Sequence, residues 1–166
     1  MREINIGAQV FEDIRTHGDF YVDKSLFIKE WWENRDTVTL ITRPRRFGKT
    51  LNMQMLDCFF SERYADRGEE LFGDLAIWKE EKYRQLQGTY PVIFLSFANV
   101  KKDTFADARE GIIGVIENLF QGFRDQWADD SLETKKRYAF MSLTKESSNT
   151  EISNSLHELS SYLEFR

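Results

Sequence analysis

Apolar side chains along this chain recur first at helical spacing and then in short unbroken runs, and the switches between the two mark its elements. The segment from Val10 to His17 predicts a short helix ended by Gly18, and a second helix runs from Lys24 to about Asn34 with Phe27, Ile28, Trp31 and Trp32 on one face. The β-branched run from Thr37 to Thr42 predicts a strand buried on both faces, as in the middle of a parallel sheet. A helix from Gly48 to about Arg63 follows, and its Leu51, Met55, Leu56, Phe59 and Phe60 make a wide apolar stripe. Short helices are expected near Glu69 to Phe72 and Glu80 to Gln85. Gly88-Thr89-Tyr90-Pro91 is a turn signal, after which Val92 to Phe97 is the clearest strand pattern of the sequence. Thr104-Phe105-Ala106-Asp107 fits a capping box that opens a long helix with Phe105, Ala108, Ile112, Val115, Leu119 and Phe123 at helical spacing. Gly111, Gly114 and Gly122 each lower its propensity by about 1 kcal/mol, so packing must hold it together. Two further helical patterns, Leu132 to Leu143 and Glu151 to Leu163, flank the polar stretch from Thr144 to Thr150.

Between the first strand pattern and the helix after it stand Arg43-Pro44-Arg45-Arg46-Phe47-Gly48-Lys49-Thr50. A strand, a tight loop and a helix start carrying Gly-Lys-Thr form the back half of a phosphate-binding loop. Loop N–H groups and the helix N-terminus can surround an anionic phosphate while the Lys49 ammonium reaches the β- and γ-phosphates. Thr50 would supply its hydroxyl to Mg²⁺. The full pattern wants Gly at its first position, where this chain has Arg43. The tripeptide alone is a weak signal, and its place between an apolar run and an apolar-faced helix strengthens it. The alternative is a basic helix cap that binds nothing.

Composition narrows the picture. At 166 residues, with 41% hydrophobic and 14% aromatic residues, the chain suits one domain with a substantial aromatic core. A net charge of −5 argues against coating nucleic acid by bulk electrostatics, although a local basic patch stays compatible with it. The single cysteine, Cys58, lies among Met55, Leu56, Phe59 and Phe60 and reads as a buried structural thiol. His17 and His157 show no metal-site spacing, so no zinc or iron site is expected. No apolar run approaches the ~20 residues of a membrane span, and no secretory signal opens the chain. A cytoplasmic, reduced protein is therefore expected.

The remaining candidates are weighed in the same way. Lys49 at a helix start opposes the helix dipole unless an anion is bound there. Arg43, Arg45 and Arg46 can add charge around phosphates, contact another chain or form a nucleic-acid patch. Tyr21-Val22-Asp23-Lys24 lies where base-contacting residues can stand, but Asp23 also reads as an ordinary helix N-cap. One expected part is missing. Phosphate-loop hydrolases hold Mg²⁺ with an apolar strand ending in Asp, often followed by Glu, and neither strand pattern here ends that way. Asp103 and Asp107, after the second strand pattern, are the nearest candidates.

Tyr21 to Ser25, Leu40 to Met53 and Tyr90 to Phe97 together resemble the predicted AAA-ATPase-like domain of bacterial proteins, and the Arg-Pro-Arg-Arg-Phe-Gly-Lys-Thr form is specific to that group. The resemblance covers about Ile4 to the end and makes Arg43 a family habit. It implies an α/β, helix-rich P-loop NTPase domain, AAA-like, spanning residues 1–166, with only part of the parallel sheet encoded. It also implies ATP and Mg²⁺ as cofactors, ATP hydrolysis, and a site at Arg43, Pro44, Arg45, Arg46, Phe47, Gly48, Lys49 and Thr50, the last as metal ligand. Family members carry a later apolar strand ending in Asp-Glu, and many continue into a PD-(D/E)XK nuclease-like domain. This chain is expected to be the N-terminal portion of such a protein, with that domain or a partner chain, and DNA association through it, as the implied partners. Two alternatives stay open: nucleotide binding without hydrolysis, and an interaction or DNA-associated module that uses the arginines.

Overall fold

The computed structural model of the chain describes residues 10–42, 44, 47–126 and 142–164. These divide into two compact units, Met1–Val92 and Ile93–Arg166. The first holds five short helices, α1 (Phe11–Thr16), α2 (Leu26–Asn34), α3 (Lys49–Phe60), α4 (Gly68–Phe72) and α5 (Glu81–Arg84), with tighter helical turns at Glu62–Arg67 and Ala76–Lys79. The second holds α6 (Phe105–Gln126) and α7 (Asn149–Glu164).

The first unit is built around the C-terminal half of α3. Met55, Cys58, Phe59 and Phe60 are all at most 5% exposed and pack against Phe11 of α1, Ile28 of α2, Leu71 and Phe72 of α4, and Ile77. Phe59 meets Phe72 and Phe60 edge-on at 5.1 and 5.2 Å between ring centroids, and Phe11 meets Phe72 at 5.4 Å. Each such aromatic contact adds about 0.5–1.5 kcal/mol beyond the area it buries. Burial pushes the Cys58 thiol up to about 12, which agrees with an inert structural cysteine. The last carbonyls of α3 lack helical partners and are met by the returning chain, where Phe59 O accepts from Gly88 N–H at 2.8 Å and Phe60 O from Tyr90 N–H at 2.9 Å. Ser61 and Tyr90 thereby form a single parallel bridge.

In the second unit, Ile113, Ile116, Phe120 and Phe123 of α6 pack with Leu143 and with Leu159 of α7. The capping box at the head of α6 forms as expected, with Thr104 Oγ1 accepting from Asp107 N–H at 3.1 Å and donating to its carboxylate at 2.7 Å. A second box, unforeseen in the sequence pattern, starts α7 earlier than Glu151: Ser148 Oγ accepts from Glu151 N–H at 3.2 Å, and Glu151 Oε2 accepts from Ser148 N–H at 2.5 Å. Arg109 ties this loop to α6 by donating to the carbonyls of Lys145 and Ser147 and to Asn149 Oδ1.

Two expectations need correction, the strands and the buried face of α6. Neither strand pattern forms a ladder among the described residues, and Val38 and Leu40, expected to be buried on both faces, are 83% and 82% exposed. Segment 37–42 opens with a bend at Thr37 and Val38, and the Trp31 indole N–H donates to Thr39 Oγ1 at 3.1 Å. The helix-rich α/β expectation is therefore met in its helices and not in its sheet. On α6 the buried line is Ile113, Ile116, Phe120 and Phe123, with Ile112 and Leu119 half-buried beside it and Phe105 78% exposed. The helical pattern from Leu132 lies almost wholly in 127–141, outside the described residues, and Leu143 itself is not helical.

Gly88 has a left-handed φ of +67°, and a Cβ there would stand 2.3 Å from the Ala65 Cα, whereas Gly18, at φ +69°, has nothing within 4 Å of that point. Gly88→Ala is expected to destabilise the fold by about 2–4 kcal/mol and Gly18→Ala by about 1 kcal/mol. Urea denaturation of both variants checks this. Equal losses would mean that the turn over Ala65 relaxes.

Candidate functional site at the start of α3

α3 begins in an unusual way for a helix. Its N-cap is Gly48 at φ 74°, no side chain caps it, and its first turn contains Lys49 but no acidic residue. Helix starts favour negative charge, so a cation there and no carboxylate leave the end electrostatically suited to an anion. The glycine serves two purposes. It permits the left-handed turn, and among the described residues a Cβ there would meet nothing closer than Lys24 Nζ, 3.8 Å away. The helix itself starts normally, with Asn52 N–H donating to Gly48 O at 2.9 Å.

The Lys49 ammonium folds back over the loop and donates to the Pro44 carbonyl at 3.0 Å. A cleft of about 360 Å³ lies in front of it, lined by Lys24, Phe27, Ile41, Phe47, Lys49 and Asn52. Beside it a second cleft of about 350 Å³ runs between Gly48 and residues 19–22, and shares Lys24, Phe47 and Asn52 with the first. Two ammonium groups, one amide and apolar walls make the first cleft suited to a ligand with an anionic end and an apolar body, while the second also carries the Asp19 carboxylate.

Of the residues expected at the site, Phe47, Gly48 and Lys49 are brought together, with the Pro44 carbonyl on the Lys49 ammonium. Thr50 is exposed on the first turn and lines neither cleft. Arg43, Arg45 and Arg46 lie outside the described residues. The clefts also bring in Asn52, which the sequence pattern did not single out as a site residue, and Lys24, which stood out only within the Tyr21-Val22-Asp23-Lys24 stretch as a candidate base contact. Asn52 stands one turn beyond Gly48 on the same helix, a signal present in the sequence. Lys24 arrives from another element. Asp103 and Asp107 belong to the second unit, where Asp107 is engaged in the α6 capping box.

The comparison with known families decides the affiliation. The family model described as predicted AAA-ATPase matches residues 5–164. The chain belongs to the predicted AAA-ATPase family. No curated protein matches it, and no solved structure does. Membership of a family of predicted ATPases hints at nucleotide binding. Among the described residues no group of three or more His, Cys, Asp or Glu side chains is placed to hold a metal ion, and no helix is long and apolar enough to cross a membrane.

The wall opposite α3 is fixed by residues 21–25. Asp23 is not the N-cap expected of it, since α2 starts at Leu26 with Ser25 as its N-cap; instead Oδ1 accepts from Ser25 N–H and Oδ2 from Ala76 N–H, both at 2.8 Å. Burial raises its carboxyl, but the hydrogen bonds from Ser25 and Ala76 and the charge of Arg15 prevail and hold it below its ordinary value of 3.8. Ser25, fully buried, accepts from Ile77 N–H at 3.1 Å through its hydroxyl.

Because the folded state holds Asp23 more acidic than the unfolded chain, its contribution is present above pH 3.8 and is lost as pH falls through the folded value. Asp23→Asn is expected to cost on the order of 1 kcal/mol at neutral pH, and less at pH 3. Urea titrations of both proteins at the two pH values test this, and a gap independent of pH would contradict it.

Proposed function

We propose that loop 43–50 and the first turn of α3 bind ATP with Mg²⁺, and that the chain serves as the nucleotide-binding part of an AAA-like ATPase. The observation that carries this reading is the start of α3: a left-handed Gly48, an uncapped twelve-residue helix and Lys49 in its first turn, facing a cleft with room for a ligand. Family membership supports it, since the family is one of predicted ATPases. A phosphate fits the residues present, because the open side of Gly48 lets an anion approach the backbone and Lys24 and Lys49 flank that approach.

Mg²⁺, once bound, would neutralise charge on the β- and γ-phosphates. Thr50 is the hydroxyl of this chain that would hold it, and the rest of its shell would come from phosphate oxygens and water, as this ion accepts. The chain's own residues bind and orient: Lys49 holds the phosphates, Gly48 admits them to the helix end, and Phe27, Ile41 and Phe47 wall the cleft against water. Binding and hydrolysis are separate matters. The walls of the first cleft contain no carboxylate among the described residues, so this chain is expected to bind ATP with negligible turnover. The arginine-based reading rests on Arg43, Arg45 and Arg46 alone, and no observation favours it over the nucleotide.

A charge-assisted contact of this kind contributes ~1.5–3 kcal/mol, so Lys49→Ala is expected to weaken Mg–ATP binding at least tenfold in titration calorimetry. Thr50→Ala is expected to reduce the Mg²⁺ dependence of binding. Equal affinity of wild type and Lys49→Ala would remove the assignment.

A further inference from the structure

The segment 20–25 leads into α2 and is tied to the first unit by three side chains. Tyr21 OH donates to Met55 Sδ at 3.3 Å, the exposed Asp23 accepts from Ala76 N–H at 2.8 Å, and the buried Ser25 accepts from Ile77 N–H at 3.1 Å. Tyr21 is further held edge-on against Phe11 at 5.4 Å, and burial pushes its phenol up to about 12. Phe20, Val22 and Lys24 are all exposed, and all three line the cleft beside Gly48.

Lys24 holds the end of this strip nearest the helix start. Its Nζ is 3.8 Å from where a Cβ on Gly48 would stand, and it lines both clefts. Its carbonyl accepts from Phe27 N–H at 3.0 Å, so the backbone that carries it is already part of the first turn of α2. Lys24 and Lys49 thus reach one cleft from different elements, and Lys24 also lines the second cleft together with Asp19. An anion with more than one charge that enters the first cleft would be attracted by both ammonium groups.

We infer that Lys24 is a second phosphate-binding cation of this site, contacting the polyphosphate chain of a nucleoside triphosphate from the side opposite Lys49. This rests on the phosphate reading of the α3 start and goes beyond it, because it gives the nucleotide cleft a second charged wall. The strip is rigid before ligand arrives, so the cation is held in place with little ordering left to do on binding.

The test is calorimetric titration of the full chain with Mg–ATP and with magnesium tripolyphosphate at one ionic strength, for wild type, Lys24→Met, Lys24→Arg and Lys49→Ala. The Lys24 side chain is exposed, and matching thermal melts will show that the variants fold. Lys24→Met is expected to weaken both ligands about tenfold, with Lys24→Arg recovering most of the loss. Wild-type affinity for both ligands in Lys24→Met, with Lys49→Ala still defective, would overturn the role of Lys24 and leave the phosphate site standing. Weakening of ATP but not of tripolyphosphate would also overturn it, by placing the ammonium against the nucleoside. Failure of wild type to bind either ligand would overturn the phosphate site and the inference together.

Discussion

α3 has to satisfy two opposite demands within twelve residues. Its last two turns are the centre of the first unit's core, where Met55, Phe59 and their neighbours are shielded from water, while its first turn stays accessible with a cation at a helix end that disfavours one. The aromatic contacts of Phe59 and Phe60 hold the axis of the helix and thereby fix where Gly48 and Lys49 stand. Preorganisation of the anion-accepting end is thus a consequence of core packing at the other end of the same helix.

The second wall of the site depends on the same core by a different route. Polar side chains and not apolar ones anchor residues 21–25, with Asp23 and Ser25 taking up the N–H groups of Ala76 and Ile77 that open the turn at Ala76–Lys79. That turn places Ile77 in the core beside Phe72 and Met55. An unmet N–H in such surroundings costs about 1–3 kcal/mol, so Asp23 and Ser25 support the fold and aim Lys24 at once. Asp57 shows the same economy at the far end of α3: burial raises its carboxyl, and the Arg63 guanidinium, at 2.8 and 2.9 Å, opposes that rise and joins the helix to the turn that follows.

Most helices were readable from apolar spacing, with Gly18 and the capping box of Thr104 and Asp107 marking ends that the structure keeps. The strands were not, because a β-branched run reports only a local preference for extended backbone, whereas a strand needs a partner that the run itself does not name. Val38 to Thr42 forms no ladder among the described residues. On α6 the misplacement of the buried face has a simple cause: Ile112-Ile113, Val115-Ile116 and Leu119-Phe120 are adjacent apolar pairs, so two neighbouring stripes fit the helical period and only tertiary packing chooses between them. At the site, Gly48 and Lys49 were legible because loop and helix start are contiguous in sequence. Lys24 was legible only as part of the Tyr21-Val22-Asp23-Lys24 stretch and not in its place beside Gly48, because the segment that carries it is held by hydrogen bonds spanning more than fifty residues, from Asp23 to Ala76 and Ser25 to Ile77.

Amide hydrogen exchange of the full chain with and without Mg–ATP tests the central claim most directly, since it reports where a ligand acts without altering any residue. The account predicts that added nucleotide slows exchange at residues 47–52 and, more weakly, at 20–25, with α7 unchanged. Binding accompanied by protection confined to other segments would contradict it, and would place the nucleotide away from the start of α3.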